Sequence, residues 1–246
     1  MKIKIIKDIM TGRGHHSRNM QCQDSVYTKK GKKHLGIAVS DGAGSKKLSE
    51  IGSKVAAKQS IGYVSRYFSE LYDISDEKFI AEKIISHVIK YIGKASSSSS
   101  YDISDYSCTL VFVVIDNVTN RYIAGHIGDG LIISRNAREP FVLSHPKNGE
   151  YGNTTFFITE KDAIDNFSIF KGELNKINGF MVMTDGTSSS LYNNKTRLPA
   201  PAINTIFNWL DDESERKVQV ALSNAMKDFF IKKTHDDCSI AILSMS

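Results

Sequence analysis

The sequence predicts an α+β fold with two layers of sheet and helices packed outside them. Three observations carry this prediction. Apolar residues form short Val/Ile-rich runs in one set of segments and recur at spacings of three and four in another. These segments follow the order strands, two helices, strands, two helices, strand. The chain has 246 residues, which at about 150 per domain is one large domain, residues 1–246, rather than two. A domain of this size buries roughly 70–75% of its unfolded surface, so it needs no disulfide or structural metal to fold.

Residues 2–6 read as the first strand, followed by a polar loop over 11–23. Segments 25–28 and 35–40 flank Lys29-Lys30-Gly31-Lys32-Lys33, a hairpin signal with glycine in the turn. Ala56, Ser60, Tyr63, Val64, Tyr67, Phe68 and Leu71 share one helical face. Ile80, Ile84, Val88, Tyr91 and Ile92 make a second, with Asp76 placed to cap it. Residues 95–105 break the pattern with a serine run that cannot bury apolar area and reads as a loop. Segments 108–115, 122–127, 131–134, 141–143 and 180–184 read as strands, whereas 145–178 is polar and irregular. Two more helices turn Ile203, Ile206, Phe207 and Leu210, then Val218, Leu222, Ala225, Met226 and Phe229, toward the core. Residues 239–243 close the chain as a strand.

Composition excludes several classes. A hydrophobic fraction of 41% and a charged fraction of 24% are those of a globular protein, not of a disordered, collagenous or coiled-coil chain. Lys and Arg number 32 and Asp and Glu 27, a formal net charge of +5. The basic residues form no dense cluster beyond 29–33, which reads as a solvated turn, so nucleic acid is not an expected partner. No uncharged apolar run reaches the ~20 residues of a membrane span. The basic, interrupted N-terminus lacks the apolar stretch and cleavage site of a signal peptide. A cytoplasmic protein with no membrane contact is expected. Cys22, Cys108 and Cys238 are odd in number and far apart. They fit neither a disulfide framework nor a zinc ribbon and read as reduced thiols, two of them inside strands.

The chemistry lies in aspartates at strand ends: Asp24, Asp41-Gly42, Asp129-Gly130, Asp185-Gly186 and Asp236-Asp237. One Asp-Gly alone is an ordinary turn. The set is different, because Val39-Ser40-Asp41, Ile127-Gly128-Asp129 and Met183-Thr184-Asp185 each deliver a carboxylate as the chain leaves the core. Carboxylates gathered at one edge of a sandwich repel one another unless cations neutralise them. Hard divalent cations take oxygen ligands, and a glycine after aspartate lets the backbone approach and offer its own carbonyl. The pattern fits a two-metal, oxygen-ligand site that activates water.

These residues also resemble a family. Asp41-Gly42-Ala43-Gly44-Ser45 after Ile37-Ala38-Val39-Ser40 is similar to the first metal motif of the metal-dependent type 2C (PPM) protein serine/threonine phosphatases. Gln23-Asp24 stands at the early acidic pair, and Ser107-Cys108-Thr109-Leu110 at the Gly/Ser-x-Thr strand opening. Gly128-Asp129-Gly130, Thr184-Asp185-Gly186 and Asp236-Asp237-Cys238-Ser239 follow in the family's order. The matches span about residues 11–244, and the opening with its Gln-Asp pair is most like a bacterial branch. The resemblance implies an αββα sandwich of two mainly antiparallel sheets flanked by helix pairs. It also implies a binuclear Mn²⁺/Mg²⁺ centre. Asp41 is then the bridging ligand, the Gly42 carbonyl is a ligand, Asp185 and Asp236 complete one metal's shell, and Asp24 contacts the other. Asp129 with Asp185 matches the pair that holds a third, weaker ion in several members. The family's reaction is direct attack of metal-activated water on phosphorus.

Two departures accompany the match. Gln23 replaces the glutamate many members carry before Asp24, and the position five residues before that aspartate, where the family has its phosphate-binding arginine, is Asn19. Arg18 is the nearest arginine; with His16 and Asp41 it makes up the catalytic candidates, and Arg13 is a further one. Cys22 lacks the glycine-rich loop of a cysteine phosphatase and reads as an ordinary thiol. His126 reads as a strand residue, and His235 as a neighbour of Asp236. The expected function is hydrolysis of phosphoserine and phosphothreonine in a protein substrate, by a monomer working opposite a cognate serine/threonine kinase. The alternative is a catalytically weak phosphatase-like sensor or adaptor. Region 145–178 matches the family's variable flap.

Overall fold

Alternation along the strands sorts the chain into four layers. The computed structural model describes residues 2–96, 100–149 and 154–245. The first part of the chain gives β1 (Ile3–Met10), α1 (Arg13–Ser17), β2 (Ser25–Lys30), β3 (His34–Ser40), α2 (Ser49–Arg66), α3 (Phe68–Asp73) and α4 (Glu77–Ser96). The middle gives β4 (Leu110–Asp116), β5 (Arg121–Ile127), β6 (Leu131–Asn136), β7 (Glu139–Ser144), α5 (Ala163–Asn166), β8 (Ser168–Glu173) and β9 (Ile177–Met183). Then come α6 (Asp185–Leu191), the short β10 (Tyr192–Asn193) and β11 (Leu198–Pro199), α7 (Pro201–Asp212), α8 (Glu215–Ala225), α9 (Ile231–Lys233) and β12 (Cys238–Met245).

Two five-stranded antiparallel sheets run in the orders β1-β12-β9-β6-β7 and β2-β3-β4-β5-β8. On β4, Val111, Val113 and Ile115 face the other sheet, while Leu110, Phe112 and Val114 pack on α2 and α4 through Ile61, Ile84 and Val88. On β12, Ala241 and Leu243 face the other sheet, while Ile240 and Ile242 meet Ile203 and Phe207 of α7 and Leu222 of α8. Each central strand is thus buried on both faces. That is why β4 reads as an unbroken apolar run although its neighbours are antiparallel. The layers are helix, sheet, sheet, helix, the expected αββα sandwich.

Several local expectations hold. Asp76 Oδ1 accepts the backbone N–H of Lys78 at 2.9 Å and of Phe79 at 3.2 Å, capping α4. Gly31 N–H donates to the His34 carbonyl at 3.1 Å, closing the β2–β3 hairpin.

Others are corrected. The first strand extends to Met10, and the 11–23 loop contains α1. The first long helical face breaks at Tyr67 into α2 and α3. Region 145–178 is not irregular throughout. It includes β8, an edge strand paired with β5, whose Lys171, Gly172 and Glu173 hide its period. At the end of α8 a π-helical turn over Met226–Phe230 adds a residue to the turn. Phe230 therefore faces the core, while Phe229, expected inward, is 64% exposed. Cys108 lies just before β4, in an isolated bridge to Gly42. Residues 97–99 of the serine run lie outside the described residues; α4 continues through Ser96 before them.

Register fixes where the aspartates emerge. Ser25 pairs with Ser40, Val39 with Val111, Leu110 with Ile127, Leu131 with Met183 and Met10 with Cys238. The ends of β3, β5 and β9 and the starts of β2 and β12 therefore lie at one end of the sandwich. Among the described residues no helix is long and apolar enough to cross a membrane.

Candidate metal centre

Three strand exits bring Asp41, Asp129 and Asp185 together, with one carboxylate oxygen of each within 4.8 Å of the others. The strands position them through backbone contacts. Asp41 N–H donates to Thr109 Oγ1 at 2.9 Å and its carbonyl accepts Thr109 N–H at 2.8 Å. Gly128, just before Asp129, has φ of 106°, and a Cβ there would lie 2.5 Å from the Thr109 methyl. Only glycine fits that turn without strain. Thr155 donates its hydroxyl to Asp129 Oδ2 at 2.6 Å. Asp24, 4% exposed, accepts the Thr184 hydroxyl at 2.7 Å and lies within hydrogen-bonding reach of Asp41.

The five expected metal aspartates do not all occupy equal places. Asp24 and Asp236 fall outside the tight trio. Asp236 is exposed, but its charge acts on Asp41, Asp129 and Asp185. Among the described residues none of the ion pairs involves Asp24, Asp41, Asp129, Asp185 or Asp236. For Asp24, Asp41, Asp129 and Asp185 the electrostatic consequence is the same. Burial, joined by the charges of Asp129, Asp236 and Asp24, pushes Asp185 up to about 8. Burial, joined by Asp237 and opposed by the Thr184 hydrogen bond, pushes Asp24 up to about 7. Burial and the surrounding carboxylates raise Asp41 well above the ordinary value. Burial raises Asp129 too, against the Thr155 bond. A cation in their midst removes this cost.

The donor set suits a hard divalent cation. Every candidate is an oxygen, and two buried oxygens, Asp129 Oδ1 and Gln23 Oε1, have no hydrogen-bond partner among the described residues. The thiols do not compete. Burial raises Cys108 and Cys238 to about 12, and burial with Asp24 and Asp237 raises Cys22. A cleft of about 320 Å³ opens beside the trio, lined by Asp129, Asp185, Asn148, Thr155, Ser188 and Asn194 among others.

The remaining candidates lie on or near α1. His16 and Arg18 are exposed. Arg18 Nε donates to the Gly14 carbonyl at 3.0 Å, and Arg13 Nε to the Thr234 carbonyl at 3.0 Å. His126 is a buried strand residue whose Nδ1 meets the Ser144 hydroxyl at 2.7 Å. Burial and the nearby Lys147 push it down to about 3, so it stays neutral. His235 is exposed and takes part through its carbonyl, which accepts Gly14 N–H at 2.9 Å. Sequence reasoning assigned no holding role to Thr109, Thr155, Thr184 or His15, and marked Asp237 only as the second carboxylate of Asp236-Asp237. Thr109, Thr184 and Asp237 sit within the motifs already picked out, which is the only local signal any of them gives.

A family model described as protein phosphatase 2C matches residues 11–230. The chain belongs to the protein phosphatase 2C family. It is a phosphatase by that membership. Serine/threonine-protein phosphatase 3 of Escherichia coli (strain K12) is 23% identical over 255 residues, covering 98% of each chain. A bacterial serine phosphatase crystal structure superposes with a TM-score of 0.68 at 13% identity, covering 100% of this chain and 98% of that one. A crystal structure of RsbX in complex with magnesium gives 0.59 at 17% identity, covering 99% and 96%. At these identities the solved structures confirm the fold.

Proposed function

We propose that this member of the family is a metal-dependent protein serine/threonine phosphatase that uses two Mn²⁺ or Mg²⁺ ions at the Asp41–Asp129–Asp185 end of the sandwich. The observation that carries the reading is a trio of carboxylates from three separate strands with no cationic side chain paired to them among the described residues. Asp41 would serve both ions, and the Gly42 carbonyl one of them. Asp185 and Asp236 would complete the hold on one ion, Asp24 would serve the other, and Asp129 with Asp185 would offer a third position. When bound, such ions supply a nucleophilic water at neutral pH and offset charge on the phosphoryl oxygens.

The chain's own residues do the rest. Thr184 and Thr155 hold Asp24 and Asp129 by one oxygen each, and Asp129 Oδ1 has no hydrogen-bond partner among the described residues. Arg18 orients the non-reacting phosphoryl oxygens, a task for which the planar guanidinium suits better than an ammonium. Among the described residues no hydrogen bond engages its terminal nitrogens; its Nε bond to Gly14 anchors it on α1. The neutral cleft wall of Asn148, Ser188 and Asn194 admits a phosphoserine or phosphothreonine side chain. A cognate serine/threonine kinase makes such substrates.

Hydrolysis of a phosphothreonine peptide with Mn²⁺, and none with EDTA, is the expected result; full activity in EDTA contradicts it. Arg18→Ala is expected to lower kcat/KM about ten- to a hundredfold with metal affinity unchanged, with Arg13→Ala as control. If the protein binds Mn²⁺ but hydrolyses no phosphoester, the sensor reading replaces the enzymatic one. Gln23, neutral beside Asp24, is the residue that favours it.

A further inference from the structure

We propose that Asp237 and His15 form a positioning pair, which fixes the 12–24 segment, bearing Arg18 and Asp24, against the turn that carries Asp236. The inference rests on the phosphatase reading for the roles of those three residues. Asp237 is 2% exposed and His15 5% exposed, and a buried carboxylate is costly unless donors compensate it. Asp237 Oδ1 accepts Gly12 N–H at 2.6 Å, and Oδ2 accepts Gln23 N–H at 2.6 Å. His15 Nδ1 donates to the same Oδ2 at 2.9 Å. All three donors come from residues 12–23, more than 200 positions away in sequence.

The bonds continue across the site. The peptide that gives its N–H to Asp237 belongs to Gln23, whose own carbonyl accepts Gly42 N–H at 3.2 Å and the Ser53 hydroxyl at 2.6 Å. Gln23 thus links the turn of Asp236 to the turn of Asp41, and Asp24 is the next residue. On the other side the segment lies flat on residues 234–236. Gly14 N–H reaches the His235 carbonyl, and a Cβ at Gly12 would stand 2.3 Å from the Asp236 carbonyl carbon. Asparagine at 237 offers a single acceptor oxygen, too few for donors approaching on both sides. A carboxylate serves all three, and it fixes His15 with its proton on Nδ1. Asp237 belongs to the frame and not to the trio of carboxylates, so it acts through Asp24, Asp236 and Arg18.

The test compares His15→Ala, His15→Asn and Asp237→Asn with the unaltered chain. Asparagine places its amide N–H near the position of Nδ1 and preserves the bond. Three quantities are read: Mn²⁺ affinity of EDTA-stripped protein by calorimetry, kcat and KM for p-nitrophenyl phosphate at saturating Mn²⁺, and melting temperature. His15→Ala is expected to weaken Mn²⁺ binding and lower kcat by about tenfold each, and His15→Asn to restore both to within about threefold. Asp237→Asn should match or exceed the His15→Ala loss. If His15→Ala melts lower yet binds Mn²⁺ and turns over like the unaltered chain, the pair is structural packing and the proposal fails. If His15→Asn is no better than His15→Ala, the Nδ1 bond is not the operative contact, and the proposal fails as well. Should Asp237→Asn not fold, the two His15 variants carry the test. Should the unaltered chain hydrolyse nothing, the phosphatase reading fails on its own, and calorimetry still reads the positioning.

Discussion

Two clusters of charge at opposite ends of the sandwich are treated in opposite ways. At the end away from the aspartates, Arg135 of β6 is fully buried. It donates from Nη1 to Asp211 at 2.8 Å and from Nη2 to Asn208 at 2.8 Å. Lys4 of β1, 2% exposed, donates to the carbonyls of Leu210, Asp211 and Glu213 where α7 ends. Cations there meet the negative end of a helix dipole. Asp116, at the same end of β4, is partly pushed up by burial. The N–H groups of Thr119 and Val118, with Lys33 and His34, outweigh that and hold it below the usual carboxylate range. At the other end of the same strands, Asp24, Asp41, Asp129 and Asp185 gather with no cationic side chain paired to them among the described residues. Each is raised, whereas Asp237 beside them has His15 and two backbone N–H groups as partners. One chain therefore compensates the charges that hold its frame together, Asp237 included, and leaves the four raised carboxylates without a cationic partner among the described residues.

The contrast is sharpest in two substitutions. Asp41→Asn is expected to lower kcat by about 10²–10³-fold and to weaken Mn²⁺ binding, while raising the melting temperature in EDTA, since it removes one of several repelling charges. A lower melting temperature in EDTA would show that the cluster is not strained. Arg135→Met at the opposite end is expected to cost about 3–5 kcal/mol, because it leaves Asp211 without its partner, and to leave Mn²⁺ affinity unchanged. Urea titration and calorimetry measure both; a stability change under 1 kcal/mol would break the comparison.

A smaller effect follows from pH. In the metal-free protein Asp24 and Asp185 lose their protons at about 7 and about 8. The unfolded chain loses them near pH 4. Between those values the folded state holds more protons than the unfolded one, so stability falls as pH rises. Asp116, lowered, contributes stability above about pH 4 that is lost as pH falls through its folded value. Melting temperature in EDTA is expected to decline from pH 5 to pH 8.5, and Mn²⁺ should flatten the decline. A flat profile without metal would contradict the raised carboxylates.

Much of this division was legible in the residues. An aspartate at the end of an apolar run is visible locally, and so were Asp41, Asp129 and Asp185, which the register then brings to one end. The groups that hold them were not. Thr184 meets Asp24 across 160 positions and His15 meets Asp237 across 222, distances over which no periodicity carries information. Of the adjacent histidines, only the fold decides that His15 is buried and His16 exposed. The paired end was likewise hidden. Arg135 reads as the polar end of an apolar strand until α7 covers it. Strand β8 failed for a local reason: its edge position tolerates Lys171, Gly172 and Glu173, which erase the alternation on which strand recognition depends. Phe229 failed because a single π turn shifts the helical phase by one residue.

If the aspartate end receives divalent cations, as proposed, an added ion must stabilise the fold. Thermal melting of EDTA-stripped protein at pH 8, with and without excess Mn²⁺, tests it most directly. At a hundred times its dissociation constant one bound ion stabilises the folded state by about 2.7 kcal/mol, a rise of roughly 5–10 °C for a chain of this length. That rise is expected for the unaltered chain, and its loss in Asp41→Asn. An unchanged melting temperature in the unaltered chain would contradict it.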